Sequence, residues 1–272
     1  MSSINLEGAL VLLTGVSNNS SIAAAIGREV VENHGRVILT YANEKLKDKF
    51  VQEYADEIGA EALLPLDVLS ERNFNSLEEK LLQRYGENSF DSVIHSIAGG
   101  FKSKEQIEKG LYYATYDELN LITNISANSL LYVNRLMAPR LLKNKGNIIS
   151  LSYEGGEKHI DGYEEMGVAK AALEKINQEL PFETQRVLGK DISYFCLSPP
   201  PIPTWSAQGL GEKFENMVRG TISAAPNHIQ VTQKDVAREL LPYIAGFHNS
   251  QTGSTIIIDN GAHLAAHPYK KE

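Results

Sequence analysis

The chain carries a single cysteine, Cys196, so it cannot close an intramolecular disulfide, and a reduced, cytoplasmic setting is the expected one. No apolar run approaches the roughly 18 residues a membrane-spanning helix needs, so no such helix is expected. The start, Met1-Ser2-Ser3-Ile4-Asn5, lacks a basic region, and its apolar stretch is too short for a signal peptide. Basic residues are in the minority: 26 Lys and Arg against 34 Asp and Glu leave a formal net charge of −8, with no basic cluster. Nucleic acid and anionic membrane surfaces are therefore poor candidates for partners. Internal repeats, low-complexity tracts and linkers are also missing, so one domain over residues 1–272 is the expected count. What remains is ordinary globular material, 42% hydrophobic and 22% charged, enough for one compact α/β core.

Apolar runs of strand length alternate with segments of helical period. Strands are expected at Ala9 to Thr14, Val37 to Tyr41, Leu63 to Val68, Ser92 to Ile97, Asn147 to Ser152, Ile192 to Leu197 and Ser254 to Asp259. Between them, helical patterns run through Ile22, Ile26 and Val30, and over Glu44 to Ile58, Glu71 to Tyr85, Tyr116 to Leu142, Tyr163 to Leu188 and Thr232 to Ile244. Uninterrupted Val/Ile/Leu strands are those buried on both faces. With strict strand–helix alternation they predict a Rossmann-like, doubly wound, seven-stranded parallel sheet with helices on both faces.

In such a fold the loop after the first strand cradles a phosphate. Here it reads Thr14-Gly15-Val16-Ser17-Asn18-Asn19-Ser20-Ser21-Ile22-Ala23. Gly15 can turn sharply, and Ser20 or Ser21 can cap a helix whose free N–H groups suit a pyrophosphate. The usual glycine patterns are missing, so an ordinary capped turn is the alternative. The second strand ends Thr40-Tyr41-Ala42-Asn43-Glu44, with neither the acidic residue that accepts from a ribose nor an Arg for a 2′-phosphate directly at its end. Without that Arg, NADH is favoured, while Lys45 and Lys47 leave NADPH open. Asp67, after the third strand, can accept from an adenine amino group or serve as a helix cap.

The chemical signal is Tyr163 and Lys170, with Tyr153 ten residues before Tyr163. On one helix, seven residues turn about 700°, so positions 163 and 170 share a face about 10 Å apart along the axis. A tyrosine with an ordinary pKa near 10 is a hydrogen-bond donor at neutral pH and suits an oxyanion. The alternative is two residues that merely share a helix face. His263 and His267 have metal-like spacing but no carboxylate or thiol beside them, and no metal site is expected. Glu164-Glu165 reads as a solvated face.

The set Gly15…Ser21-Ile22-Ala23, Asp67-Val68, His95-Ser96-Ile97, Ser152-Tyr153, Tyr163-x6-Lys170 and Pro201-Ile202-x-Thr204 resembles the enoyl-acyl-carrier-protein reductases. These are a divergent branch of the short-chain dehydrogenase/reductases, and the resemblance runs from about residue 5 to residue 265. Ordinary superfamily members place the tyrosine and lysine four apart, but position 167 is Gly, so only the longer spacing fits. The resemblance implies an NADH-dependent reduction of an enoyl thioester carried on acyl carrier protein or CoA, by a homotetramer.

For single residues the resemblance implies the following. Gly15, Ser21 and Ile22 would line the pyrophosphate and ribose, Ala42 would lie in the cofactor site, and Asp67 with Val68 would bracket the adenine. Ser96, Ile97 and Ala98 would pass beneath the cofactor, Lys170 would hold the nicotinamide ribose, Ile202 would meet the carboxamide and Thr204 the pyrophosphate. Tyr163 would donate to the thioester carbonyl and Tyr153 would shape the pocket, with Gly100, Met166 and Trp205 also on the substrate side. A substrate loop and helix would cover about residues 203–220.

The chain departs from the family at Ser198-Pro199-Pro200-Pro201-Ile202-Pro203, where the family has Gly before Pro-Ile, and at Ala98-Gly99-Gly100, where it has Gly and an aromatic. Three prolines fix φ near −65° and remove backbone donors. A specialised, polyketide-like acyl chain is therefore one expected substrate, beside a fatty-acid intermediate. Asn124 falls near the position of a proton-relay Asn in ordinary superfamily members, which leaves carbonyl reduction as an alternative. A non-catalytic dinucleotide-binding scaffold is the other.

Overall fold

In a computed structural model, the described residues are 4–101, 104–204, 212–248 and 250–265, with only the backbone of residue 104. Seven strands form one parallel sheet: β1 (Leu10–Thr14), β2 (Arg36–Tyr41), β3 (Ala62–Pro65), β4 (Phe90–His95), β5 (Leu142–Leu151), β6 (Ser193–Ser198) and β7 (Ser254–Ile257). Their order is β3-β2-β1-β4-β5-β6-β7. The chain thus winds outward twice, and the order reverses between β1 and β4.

The helices are α1 (Ile22–Glu32), α2 (Glu44–Leu46), α3 (Gln52–Ile58), α4 (Glu71–Tyr85), α5 (Lys104–Lys109), α6 (Tyr116–Thr123), α7 (Ser129–Met137), α8 (Glu164–Leu188), α9 (Glu212–Ala224) and α10 (Gln233–Ile244). Their starts are written in the sequence. Ser70 accepts from the Asn73 N–H to open α4, while Thr115 with Glu118 and Thr232 with Asp235 form capping boxes that open α6 and α10. Among the described residues no helix is long and apolar enough to cross a membrane.

Alternate strand residues feed two cores, as the two-residue strand period requires. Val11, Leu13, Leu39, Ile94, Ile149 and Phe195 pack with α1, α3 and α10. Leu10, Leu12, Ile38, Val93, Ile148 and Tyr194 pack with α4, α7 and α8. Each fully buried Leu, Ile or Phe contributes about 1.5–3 kcal/mol, so the sheet is the rigid base on which the loops at its carboxyl edge are held.

Several boundaries differ from the sequence reading: β3 ends at Pro65 and not Val68, β4 runs Phe90–His95 and not Ser92 to Ile97, and β7 ends at Ile257 and not Asp259. The helical pattern over Tyr116 to Leu142 resolves into α6, a π-helical turn at Asn124–Asn128 and α7, and Leu142 already begins β5. A second π-helical turn, Lys47–Val51, separates α2 from α3. Tyr163 is the residue before α8 rather than its first member, with φ −125° and ψ 9°.

Candidate active site

The carboxyl ends of β1, β2, β4, β5 and β6 open onto a cavity of about 530 Å³ beside the point where the strand order reverses. Open parallel sheets place ligands at such a point. Register sets its floor: Thr14 pairs with His95, His95 with Ser150, and Ser150 with Cys196, so the loops leaving four strands start level with one another.

The first loop is built by side chains where glycines are usual. Asn18 Oδ1 accepts from the backbone and hydroxyl of Ser20 (2.9 and 2.7 Å), and the Asn18 carbonyl accepts from Ser21 Oγ (2.8 Å). Ser21 then accepts from the Ala24 N–H at 3.1 Å and caps α1, while the remaining first-turn amides have no acceptor within the helix. Gly15 has φ +83°, and a Cβ there would lie 1.9 Å from the Ser96 carbonyl oxygen. The ends of β1 and β4 approach too closely for any side chain.

Tyr163 and Lys170 both line this cavity, with Ser152 and Tyr153 beside them. Tyr163 does so from the cap position, so the two residues meet through the helix's entry turn and not by strict helical phase. Gly167, between them, would place a Cβ 2.5 Å from the Gly155 carbonyl oxygen. Its lack of a side chain lets the 154–156 turn lie on α8 and bring the Tyr153 ring to Tyr163, with centroids 4.8 Å apart at 82°.

Lys170 is 4% exposed and donates to the Leu151 carbonyl at 2.6 Å. Its other two N–H groups have no acceptor among the described residues, and burial pulls its pKa down to about 8. Burial pushes both tyrosine hydroxyls up from their ordinary value of 10, so each stays a neutral donor, and neither has a hydrogen-bond partner among the described residues. His95 is fully buried, and its Nε2 lies 2.8 Å from Ser129 Oγ. Ser129 gives its own proton to the Ile125 carbonyl at 2.6 Å, so His95 Nε2 is the donor. Burial first, and the Lys170 charge second, bring His95 down to about 3.

Most of the residues chosen from sequence meet here: Gly15, Ser21, Ile22, Ala42, Asp67, Val68, Ser96, Ile97, Ala98, Ile202, Thr204, Tyr153, Tyr163, Met166 and Lys170 all border the cavity. Gly100 does not; it packs against the backbone of Ile122. Trp205 lies outside the described residues. Pro199, Pro200 and Pro201 form one buried wall. Asp67 is not the cap of α4, which is Ser70; its Oδ1 takes the Leu69 N–H at 3.0 Å. Lys47, one of the two lysines after β2, pairs with Glu44 at 3.0 Å and lies over the Tyr41 ring, so it is already engaged.

Asn124 is exposed, accepts from Asn128 at 2.7 Å and does not border the cavity. Glu165 corrects the solvated-face reading, being 2% exposed, with its pKa raised by burial. Sequence reading did not single out Asn18, whose Asn-x-Ser spacing is a visible turn signal; Phe214 and Met217 of α9, which border the cavity, lie within the 203–220 segment it expected on the substrate side without being named. Among the described residues no three metal-ligating side chains cluster; His263 Nδ1 is 2.9 Å from Asp259 Oδ1, and His267 lies outside the described residues.

The profile described as Enoyl-(Acyl carrier protein) reductase matches residues 15–263. The chain belongs to the enoyl-acyl-carrier-protein reductase family. It is 34% identical to the enoyl-[acyl-carrier-protein] reductase [NADH] of Bacillus cereus over 262 residues, covering 95% of this chain and 98% of that one. It is 30% identical to the Aquifex aeolicus reductase of the same name over 259 residues, covering 95% and 93%. The crystal structure of the Bacillus cereus reductase with NADP+ and an indole naphthyridinone superposes with a TM-score of 0.88 at 31% identity, over 96% of this chain and 98% of that one.

Proposed function

We propose that this reductase-family chain uses NADH to reduce the carbon–carbon double bond of an enoyl thioester carried on acyl carrier protein, as a step of fatty-acid synthesis. The observation that carries the reading is one cavity at the sheet's reversal point that holds the neutral Tyr163 hydroxyl together with the buried, under-partnered Lys170 ammonium. Those two free donors on Lys170 fit a ribose diol, and the open α1 amides with the tight Gly15 turn fit a pyrophosphate. Gly15, Ser21, Ile22 and Thr204 would hold the phosphates and Asp67 with Val68 the adenine. Ala42 would lie beside the adenosine ribose, Ser96 to Ala98 beneath the dinucleotide, and Ile202 at the carboxamide. Because Lys47 is bound to Glu44, NADH suits the site better than its 2′-phosphorylated form.

NADH, when bound, supplies the hydride that the β-carbon receives. Tyr163 donates its hydroxyl proton's hydrogen bond to the thioester carbonyl oxygen, where charge gathers as the double bond is reduced. Lys170 holds positive charge beside that oxygen. The Tyr153 ring fixes the Tyr163 ring by its edge-to-face contact and walls the acyl side with Met166. The resulting enolate takes a proton from solvent water at its α-carbon, so one hydride and one proton together saturate the double bond. Phe214 and Met217 present apolar surface for the acyl chain, and the proline wall limits its width.

The same reading makes the chain a single dinucleotide-binding unit, tetrameric and cytoplasmic. Carbonyl reduction is not favoured, since Asn124 does not border the cavity. The test is absorbance at 340 nm with NADH and crotonyl or longer enoyl thioesters. Turnover of enoyl thioesters is expected; turnover of ketones with none of any enoyl chain length overturns the reading.

A further inference from the structure

One buried acidic group beside the site has no part in the chemistry above. Glu174 sits four residues after Lys170 on α8, one helical turn on and on the same face, and is 7% exposed. Its Oε1 accepts from the Ser152 hydroxyl. Lys170 itself donates to Leu151, the residue before Ser152. Two consecutive turns of α8 therefore grip two consecutive residues where the chain leaves β5, and the next residue is Tyr153. Ser152 is also held from the far side, its N–H donating to the Leu197 carbonyl at 2.7 Å. Lys170 and Glu174 form no ion pair among the described residues, so the carboxylate acts on the ammonium at longer range.

The charged and titratable groups around this pair define what Glu174 does. Lys170 faces His95 from β4, Cys196 from β6 and Glu174 on its own helix; Glu174 faces Ser152, just past β5, and Glu157 from the turn that follows. His95 is never anionic, and burial pushes the Cys196 thiol up so that it stays protonated, so neither offers Lys170 a counter-charge near neutral pH. Burial drives Lys170 toward its neutral form, and Glu174 is the one remaining group among these that opposes it near neutral pH. Burial raises the Glu174 carboxyl as well, while the Ser152 hydroxyl and the Lys170 charge draw it back.

We propose that Glu174 is a positioning residue for Lys170: tied to Ser152, its carboxylate fixes the end of β5 from which Lys170 takes its acceptor, and it is the anionic group on the same helix face behind the ammonium that meets the dinucleotide. The proposal rests on the assignment of Lys170 to the cofactor ribose. It predicts that NADH binding weakens as pH rises and Lys170 loses its proton, and that Glu174 sets where this happens.

The experiment titrates NADH fluorescence against the full-length protein from pH 6 to 10, for wild type, Lys170→Ala and Glu174→Gln, with thermal melting of each. Glutamine keeps an oxygen for Ser152 and removes the charge. A neighbouring charge shifts a pKa by about one unit or more, so the midpoint of binding loss in Glu174→Gln is expected about one pH unit lower than in wild type, with an unchanged melting temperature. An unmoved midpoint overturns the proposal, as does weaker binding by one factor at every pH accompanied by lower melting, which marks a purely structural anchor. Should Glu174→Gln not fold, Glu174→Asn and Glu174→Asp form a pair of equal length differing in charge, and the same downward shift is required of Asn relative to Asp. The assignment of Lys170 fails separately, if wild type and Lys170→Ala bind NADH alike.

Discussion

The Tyr163 ring meets the Tyr153 ring edge to face, with centroids 4.8 Å apart, although one precedes α8 and the other follows β5. The contact couples the donor hydroxyl to the same chain segment that supplies the acceptor of Lys170. The phenol, the ammonium and the end of β5 therefore form one mechanical unit, and substitutions there are expected to separate binding from chemistry.

Tyr163→Phe removes the donor and keeps the ring. Loss of one such donor costs about 100- to 1000-fold in kcat. Turnover of an enoyl thioester is expected to fall by that order, with NADH affinity changed less than about twofold and an unchanged melting temperature. Equal losses in kcat and in NADH affinity would place Tyr163 on the cofactor and not on the carbonyl.

His95 links pH to folding. Its pKa is about 3 when folded, against 6.5 for the free group, so the unfolded chain binds the proton more readily between those values. Stability contributed in this way is complete above about pH 6.5 and is lost progressively as pH falls toward 3. Urea unfolding across that range is expected to show a steeper acid decline in wild type than in His95→Gln. Parallel curves would refute the assignment.

Gly15→Ala places a Cβ 1.9 Å from the Ser96 carbonyl at a residue with φ +83°. Strain of this kind costs about 1–3 kcal/mol, and the β1 and β4 ends must part to relieve it. Lower stability in urea and a loss of NADH affinity of tenfold or more are expected together. Wild-type affinity in the variant would remove the first loop from the cofactor site.

Asn124→Ala is the contrasting case. The side chain is exposed and bonded to Asn128, so enoyl thioester reduction is expected to stay within about twofold of wild type. A loss of tenfold or more would restore the proton-relay role that this geometry denies.

The alternation of strand and helix and the seven parallel strands were legible in the linear chain, and so was the spacing that set Tyr163 and Lys170 apart as candidates. Continuous apolar runs and capping residues act locally, and local signals are legible without coordinates. The division of Tyr116 to Leu142 was not legible, because Leu, Ile and Val suit a helix and a buried strand equally, and only pairing with β4 and β6 selects strand from Leu142 onward. Tyr163 as a cap, the burial of Glu165 and the grip of Glu174 on Ser152 likewise belong to the tertiary structure. A charged residue reads as solvent-facing until the fold lays another element over it, and long-range packing alone decides which carboxylates are covered and what they then hold in place.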